Sequence, residues 1–203
     1  MKFGVNTFIW SATFDPSHFG LLPTIKEAGF DGVEIPLLKP KDLQAASIRK
    51  AIEANDLGCN CCTVLVDGFS LISDSPDIRK RTQQHLRDIA KAAAEAGAKI
   101  VAGPLYSPVG YLPGRRRTGD EWKWAVEGFQ SVGETLAAHD VTFAIEPLNR
   151  FETFFLNTAA DAAQLAKEIG HPNIGILFDT FHANIEEKNI AEGYRTVGPY
   201  LKH

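Results

Sequence analysis

Short apolar runs alternate with longer amphipathic stretches along the whole chain. The apolar runs are too short for helices, and their bounding turns favour buried strands of a parallel sheet. Seven strands are predicted, the last only begun, at 2–10, 32–37, 59–66, 99–105, 141–148, 173–178 and 200–203. Helices are predicted between them, at about 18–28, 41–56, 75–97, 118–139, 158–169 and 188–198.

The longest predicted helix has recognisable signals at both ends. Ser75 precedes Pro76 and offers an N-cap with proline in the first turn, and Gly97 follows the last helical position. An Ala-Gly pair also ends the helix before the second strand, at Gly29. The repeated helix-to-strand turn indicates a series of strand–helix units.

Strand–helix alternation is compatible with a doubly wound sheet or a closed barrel. A dinucleotide-binding fold would need a glycine-rich turn after the first strand, and residues 6–11 contain no glycine. Polar and aromatic residues instead follow many of the strands: Asn6, Trp10, Glu34, Asp67, Tyr106, Glu146, Asp179 and His182. This distribution predicts the α/β class and a TIM (β/α)8-type barrel, whose active site forms at the carboxyl ends of its strands.

About six strand–helix units and the start of a seventh strand can be counted. We therefore expect residues 1–203 to form a single barrel domain. A barrel of this type has eight units and about 250 residues, so we also expect this one to lack its C-terminal strand–helix units.

Composition and charge argue against nucleic-acid binding and membrane association. The chain has 203 residues, is 44% hydrophobic and carries a net charge of −4, which gives no general attraction to nucleic acid or membrane. The sequence has no apolar run of transmembrane length and no signal-like N-terminal segment, so a cytoplasmic protein is expected. The basic run 115–117 is expected to be a solvated loop, and the cysteines at 59, 61 and 62 to be structural rather than zinc ligands.

Two carboxylates carry most of the functional information. Glu146 and Asp179 each end an apolar run, and parallel neighbours about 4.8 Å apart would open them onto one rim. Two close carboxylates are costly unless a cation or a shared proton compensates them. Oxygen ligands with a nearby histidine suit Mn²⁺, Mg²⁺ or Co²⁺.

The roles of His182 and Glu152 stay open at this point. His182 is interpreted as a metal ligand, a substrate hydrogen-bond donor or a loop residue. Glu152 either contacts a substrate hydroxyl or pairs with Arg150. The acids at 186–187 are expected to form a solvated face at the start of the next helix.

Three segments resemble the D-tagatose/D-psicose (ketose) 3-epimerase family of the xylose isomerase-like TIM barrel superfamily. They are Glu-Pro-Leu-Asn-Arg-Phe-Glu at 146–152, Asn-Thr-Ala at 157–159 and Leu-Phe-Asp-Thr-Phe-His-Ala-Asn-Ile-Glu-Glu at 177–187. The two longer motifs are specific, and the N-terminal part is only loosely similar.

The resemblance implies a divalent metal site, with Mn²⁺ the first expectation and Mg²⁺ or Co²⁺ as alternatives. It assigns the first ligand to Glu146 and the second to Asp179, and it implies that Glu152 and His182 contact the sugar. The family's third ligand is the second histidine of a His-x-His segment that begins at His203, and its fourth is a glutamate of strand eight.

By the same resemblance the expected reaction is inversion of C3 of a free ketose through a cis-enediolate, with Glu146 as ligand and acid/base. The expected partners are a small ketose and further copies of the chain, in a dimer or tetramer. The alternatives are a hydroxypyruvate or aldose–ketose isomerase on the same barrel, or a truncated barrel without catalytic activity. A DNA-repair endonuclease is disfavoured because the chain is acidic.

Overall fold

The computed structural model describes residues 2–203. Its centre is one sheet of parallel strands in chain order, each strand hydrogen-bonded to the next. The strands are β1 (Gly4–Asn6), β2 (Gly32–Pro36), β3 (Gly58–Cys62), β4 (Ile100–Gly103), β5 (Thr142–Ile145) and β6 (Ile174–Ile176). This is the predicted α/β barrel architecture, present as a six-stranded open sheet.

Helices cover the sheet in the predicted alternation. They are α1 (Leu21–Glu27), α2 (Ala45–Ala54), α3 (Pro76–Glu95), α4 (Gly119–Gln130), α5 (Gly133–His139), α6 (Ala159–Ile169), α7 (Thr180–Glu186) and α8 (Ile190–Val197). The longest, α3, begins as predicted, since the Ser75 side chain caps it and Pro76 occupies its first position. None of the helices within residues 2–203 combines the length and apolar character needed to cross a bilayer.

Two helix predictions were wrong in detail. The stretch 118–139 is two helices, α4 and α5, separated at 131–132. A short helix, α7, follows β6 where no helix was predicted. Its N-cap is Asp179, whose Oδ1 accepts the Phe181 N–H at 2.7 Å, so a local side-chain contact starts this helix directly after the strand.

The strands are shorter than the apolar runs predicted. The first run, 2–10, contains only the three residues of β1, because Asn6 caps a 3₁₀ turn at Thr7–Ile9. At β4, Gly103 has φ of +139°, and a Cβ there would lie 2.0 Å from the Thr63 carbonyl oxygen. The strand ends are therefore irregular where the backbone turns into the loops that carry polar side chains.

The last residues of the chain extend the sheet beyond β6. Leu201 forms a parallel bridge with Ile176, and the Phe178 N–H donates to the His203 carbonyl at 3.1 Å. Gly175 permits this approach, because a Cβ at that position would lie 2.3 Å from the Tyr200 carbonyl oxygen. Residues 201–203 accordingly begin a seventh strand, as predicted.

The core lies between the sheet and the helices. The buried face of α3 includes Leu86, Ile89 and Ala93, which recur at helical spacing, and the helix contacts β4 of the sheet. On the sheet, Phe143 and Ile145 of β5 are completely buried. This packing leaves the carboxyl ends of the strands as the place where polar side chains converge.

Candidate metal centre

Glu146 and Asp179 lie at the carboxyl ends of adjacent strands, as predicted. Glu146 directly follows β5, and its N–H donates to the Gly103 carbonyl at 3.0 Å, which continues the ladder to β4. Asp179 follows β6, and its side chain caps α7. The parallel register of Ile145 with Ile176 brings the two segments side by side.

These two carboxylates converge with His182 in a single group. One potential ligand atom from each of the three residues lies within 4.8 Å of the others. The Nε2 atom of His182 is 3.5 Å from Glu146 Oε1 and 3.9 Å from Asp179 Oδ2. Glu146 and His182 are largely buried, whereas Asp179 is partly open to solvent.

The orientation of the His182 ring follows from its second nitrogen. Nδ1 lies 3.2 Å from the backbone N–H of Asn149 and 2.9 Å from its Nδ2. Both partners are donors, so Nδ1 accepts and the proton of the neutral ring resides on Nε2. His182 therefore presents an N–H towards the carboxylates, which suits a hydrogen-bond donor to a substrate oxygen better than a metal ligand.

Charge is crowded in this group. Burial raises the pKa of Glu146, contact with His182 opposes that rise, and the nearby Asp179 charge adds to it. Burial lowers the pKa of His182, and the neighbouring carboxylates, Glu146 first, raise it by more. A bound divalent cation would compensate the two carboxylates, and their hard oxygen atoms are the ligands that Mn²⁺, Mg²⁺ and Co²⁺ accept. The donor set thus fits the metal expected from the sequence.

A cavity of about 230 Å³ opens beside Glu146 and Asp179. Asn6 Nδ2 donates to Glu34 Oε1 at 2.8 Å, and Glu34 Oε2 lies 2.9 Å from His203 Nε2. The cavity is lined by Asn6, Phe8, Glu34, Cys62, Thr63, Val64, Ala102, Gly103, Pro104, Glu146, Leu177 and Asp179. Residues of β1, β2, β3 and β4, and residues that directly follow β5 and β6, therefore line the same space.

Glu152 lies beside the group rather than among its three converging residues. Its Oε1 accepts a hydrogen bond from Asn149 Nδ2 at 2.7 Å, and the same amide contacts His182. Asn149 is 2% exposed and was not singled out in the sequence. The signal for it was present, because it stands three residues beyond the strand-end glutamate in the same motif.

Tyr106, one of the polar residues expected at the rim, is instead completely buried. Its hydroxyl donates to the backbone carbonyl of Glu146 at 3.1 Å. This hydrogen bond holds the backbone of the strand-end glutamate in position. Because Tyr106 is buried, it cannot reach a substrate.

The expectation of a solvated acidic face at 186–187 was wrong. The Glu186 side chain is 5% exposed and pairs with Arg150, so Arg150 does not pair with Glu152. Glu187 Oε1 accepts the Ala159 N–H at 2.7 Å, at the start of α6. Both acids form tertiary contacts because α7 ends here and turns its last residues towards the β5 loop.

The basic run 115–117 is not simply a solvated loop either. Arg115 pairs with Glu121, and Arg117 pairs with Asp161. Both arginines thereby bind the loop after β4 to the starts of helices, Arg115 to α4 and Arg117 to α6. Of the cysteines, Cys61 is buried in the core, while Cys62 faces Asn6 at the cavity.

The comparisons with known proteins agree with this arrangement. A family model described as xylose isomerase-like TIM barrel matches residues 22–203. A probable ketose 3-epimerase of Synechocystis sp. is 34% identical over 203 residues, which are 100% of this chain and 71% of that protein. The chain belongs to the ketose 3-epimerases of the xylose isomerase-like TIM barrel family.

A further curated relative and a solved structure are also similar to this chain over its whole length. D-psicose 3-epimerase of Ruminiclostridium cellulolyticum is 31% identical over 100% of this chain and 71% of its own length. A crystal structure of D-psicose 3-epimerase from Clostridium cellulolyticum H10 with D-tagatose superposes with a TM-score of 0.89 at 28% identity. That match covers 100% of this chain and 72% of that one. Both the predicted family and the predicted barrel are confirmed.

Proposed function

We propose that this ketose 3-epimerase family member inverts C3 of a free ketose in a metal-dependent reaction through a cis-enediolate. The observation that carries the proposal is the convergence of Glu146, Asp179 and His182 within 4.8 Å at the strand ends. Relatives whose names specify 3-epimerisation of ketoses, D-psicose and L-ribulose support the choice of reaction.

Glu146 and Asp179 would hold a divalent cation, with Mn²⁺ the first candidate and Mg²⁺ or Co²⁺ as alternatives. When bound, such an ion polarises the C2 carbonyl and C3 hydroxyl and stabilises negative charge on their oxygens. Glu146 and Asp179 provide the oxygen ligands for it, and burial of Glu146 makes a compensating positive charge favourable there.

Glu146 would also move the proton at C3. Its side chain adjoins the cavity, and a carboxylate within hydrogen-bonding reach of C3 can remove a proton and return one to the same face. Inversion requires a second acid/base group on the opposite face. The family resemblance predicts a glutamate of an eighth strand in that role.

His182 and Glu152 would bind the sugar. The Nε2–H of His182 can donate to a substrate oxygen, while Asn149 holds the ring in that tautomer. Glu152 would accept from a sugar hydroxyl, since its Oε1 is already held in place by the same asparagine. The preferred ketose is set by residues further along the cavity, with Asn6 and Phe8 as candidates.

The predicted homo-oligomer and cytoplasmic location stay predictions. Several apolar side chains in the segments that follow the strands are exposed: Phe8, Ile9, Trp10, Val66, Val109, Tyr111, Leu112, Phe151 and Phe181. Exposed apolar side chains of this kind are compatible with a subunit contact or with closure over a substrate. Light scattering of the purified protein would determine its mass in solution.

The role of Glu146 is tested with Glu146→Gln. A protein that includes the predicted eighth strand, supplied with Mn²⁺, is assayed for C3 epimerisation of D-fructose, D-tagatose and L-ribulose by chromatography. We expect activity in the wild type, its loss on chelation, and a decrease of at least about 10³-fold in Glu146→Gln, because the amide cannot act as a base. Glu127→Gln, at an exposed position of α4, serves as the matched control.

Retained activity in Glu146→Gln would remove this residue from the mechanism. Activity that survives complete chelation would remove the metal.

A further inference from the structure

Arg150 and Glu186 form an ion pair between two segments that each carry site residues. Arg150 lies in the loop after β5, between Glu146 and Glu152, and Glu186 is the last residue of α7. Glu186 Oε1 accepts the backbone N–H of Arg150 at 2.7 Å and its Nε–H at 3.0 Å, and Oε2 accepts from Nη2 at 2.9 Å. Three donors on one carboxylate fix both the backbone and the side chain of Arg150 against α7.

The burial of Glu186 distinguishes this pair from an ordinary surface salt bridge. Exposed pairs contribute little, because water competes for both partners. Here the glutamate side chain is 5% exposed with the arginine in place, although the arginine is 61% exposed, so water has little access to the carboxylate of the intact pair. Burial raises the pKa of Glu186, and the contacts with Arg150 lower it by more.

Helix α7 has few apolar contacts to determine its position. It has seven residues, of which only His182 and Ala183 are buried, and Phe181 is 62% exposed. A helix of this length is not stable without tertiary contacts. Helix α7 packs against α8, and polar contacts attach it to the β5 loop and to the start of α6.

Three such contacts cross from α7 and the residue after it to the segment that follows β5. They are the Arg150–Glu186 pair, the Asn149 amides on His182 Nδ1, and the Ala159 N–H on Glu187 Oε1. The ion pair is the charged, three-donor contact of this set. Neither of its partners is among the residues that converge at the metal centre.

We propose that the Arg150–Glu186 pair is a positioning element of the metal centre, which holds α7 against the β5 loop so that Glu146, Asp179 and His182 converge. This proposal rests on the proposed function, because it assumes that these residues hold a metal ion. The pair acts through its neighbours, because a shift of α7 would move Asp179 at its N-cap and His182 in its first turn relative to Glu146.

Arg150→Met and Glu186→Gln test the proposal in a protein that includes the predicted eighth strand. Methionine replaces the aliphatic part of the side chain without the charge, and glutamine keeps an acceptor for the backbone N–H. We expect the dissociation constant for Mn²⁺ to rise about tenfold or more in each variant, with a similar decrease in kcat. The double variant should lose no more than the more affected single variant, because both remove one interaction.

Arg115→Met is the matched control. Arg115 is 48% exposed and makes a bidentate pair with Glu121, which is 7% exposed and also accepts a backbone N–H, from Thr118. This pair lies at the start of α4 and lines no part of the cavity next to Glu146. Arg115→Met should lower the melting temperature as Arg150→Met does, but it should leave Mn²⁺ affinity and kcat within about twofold of the wild type.

The ring ¹⁵N shifts of His182 in the metal-free protein give a readout that requires neither metal nor turnover. In the wild type they should report Nδ1 as acceptor and Nε2 as protonated, and Arg150→Met should shift them while Arg115→Met does not. If all the measurements change equally in Arg150→Met and Arg115→Met, the pair only stabilises the fold and the proposal is overturned. A wild type that binds Mn²⁺ without epimerising ketoses would contradict the proposed function, while the comparison of Mn²⁺ affinities would still decide the role of the pair.

Discussion

Asn149 links the residues with which the site is expected to bind a sugar. Its backbone N–H and Nδ2 both contact His182 Nδ1, and Nδ2 also donates to Glu152 Oε1. Glu146 and Asp179 could be chosen from the sequence because carboxylates at the ends of two apolar runs are a local pattern. Asn149 lies in the same motif as Glu146, but its role became visible only from its contact with a side chain 33 residues away.

Asn149→Ala should impair catalysis more than folding. The variant keeps the backbone donor to His182 but releases Glu152 and one contact to the ring, so we expect kcat to fall about tenfold and the free energy of unfolding by about 1 kcal/mol. Asn173→Ala is the control, because Asn173 Nδ2 donates to the Val141 carbonyl at the opposite end of the strands. Equal kcat losses in the two variants would contradict the role given to Asn149.

At the scale of elements, the six strands and most helices were predictable because apolar period and end signals are local. Helix α7 was missed because it has only two buried residues and therefore little amphipathic pattern. The strands were predicted too long because apolar residues continue beyond the strand ends into buried loops. Leu148, Phe155 and Leu156 are buried in this way.

The close approach of β4 to the segment after β3 gives a prediction about stability. Gly103→Ala places a methyl group 2.0 Å from the Thr63 carbonyl at a φ of +139°, so we expect unfolding to become easier by roughly 3 kcal/mol or more. Gly110→Ala also has positive φ but meets nothing within 4 Å, and it should cost about 1 kcal/mol. Urea unfolding of both variants checks the difference, and equal losses would show that the contact with Thr63 relaxes freely.

The Arg115–Glu121 pair predicts a pH dependence of stability. Burial raises the pKa of Glu121, but its contacts with Arg115 and Thr118 lower it by more, so its pKa in the folded state is below the ordinary value. Stabilisation from such a group is present above its unfolded pKa, about 4.3, and is lost as pH falls through the lower folded pKa.

The difference in unfolding free energy between the wild type and Arg115→Met should therefore be constant from pH 7 to about pH 5.5 and shrink below about pH 4. Urea unfolding across this range measures it. A difference that stays constant down to pH 3 would contradict the assignment.

At the scale of the whole molecule, the parallel sheet brings the candidate metal centre together at the carboxyl ends of β5 and β6. The chain spans 71% of the length of the two curated relatives described above. Its two proposed metal ligands follow β5 and β6, and residues 201–203 already align His203 with Glu34 across the cavity. The assignment of residues 1–203 to one domain, and the further ligands implied by the resemblance, stay predictions.

The central claim is that this site moves a proton at C3 of a ketose. Its most direct test is incubation of a protein that includes the predicted eighth strand with Mn²⁺ and D-fructose, D-tagatose or L-ribulose in D₂O, followed by NMR of the products. We predict deuterium at C3 together with the C3-inverted sugar, both lost in Glu146→Gln. Deuterium at C1 with formation of an aldose would contradict it and identify an aldose–ketose isomerase instead.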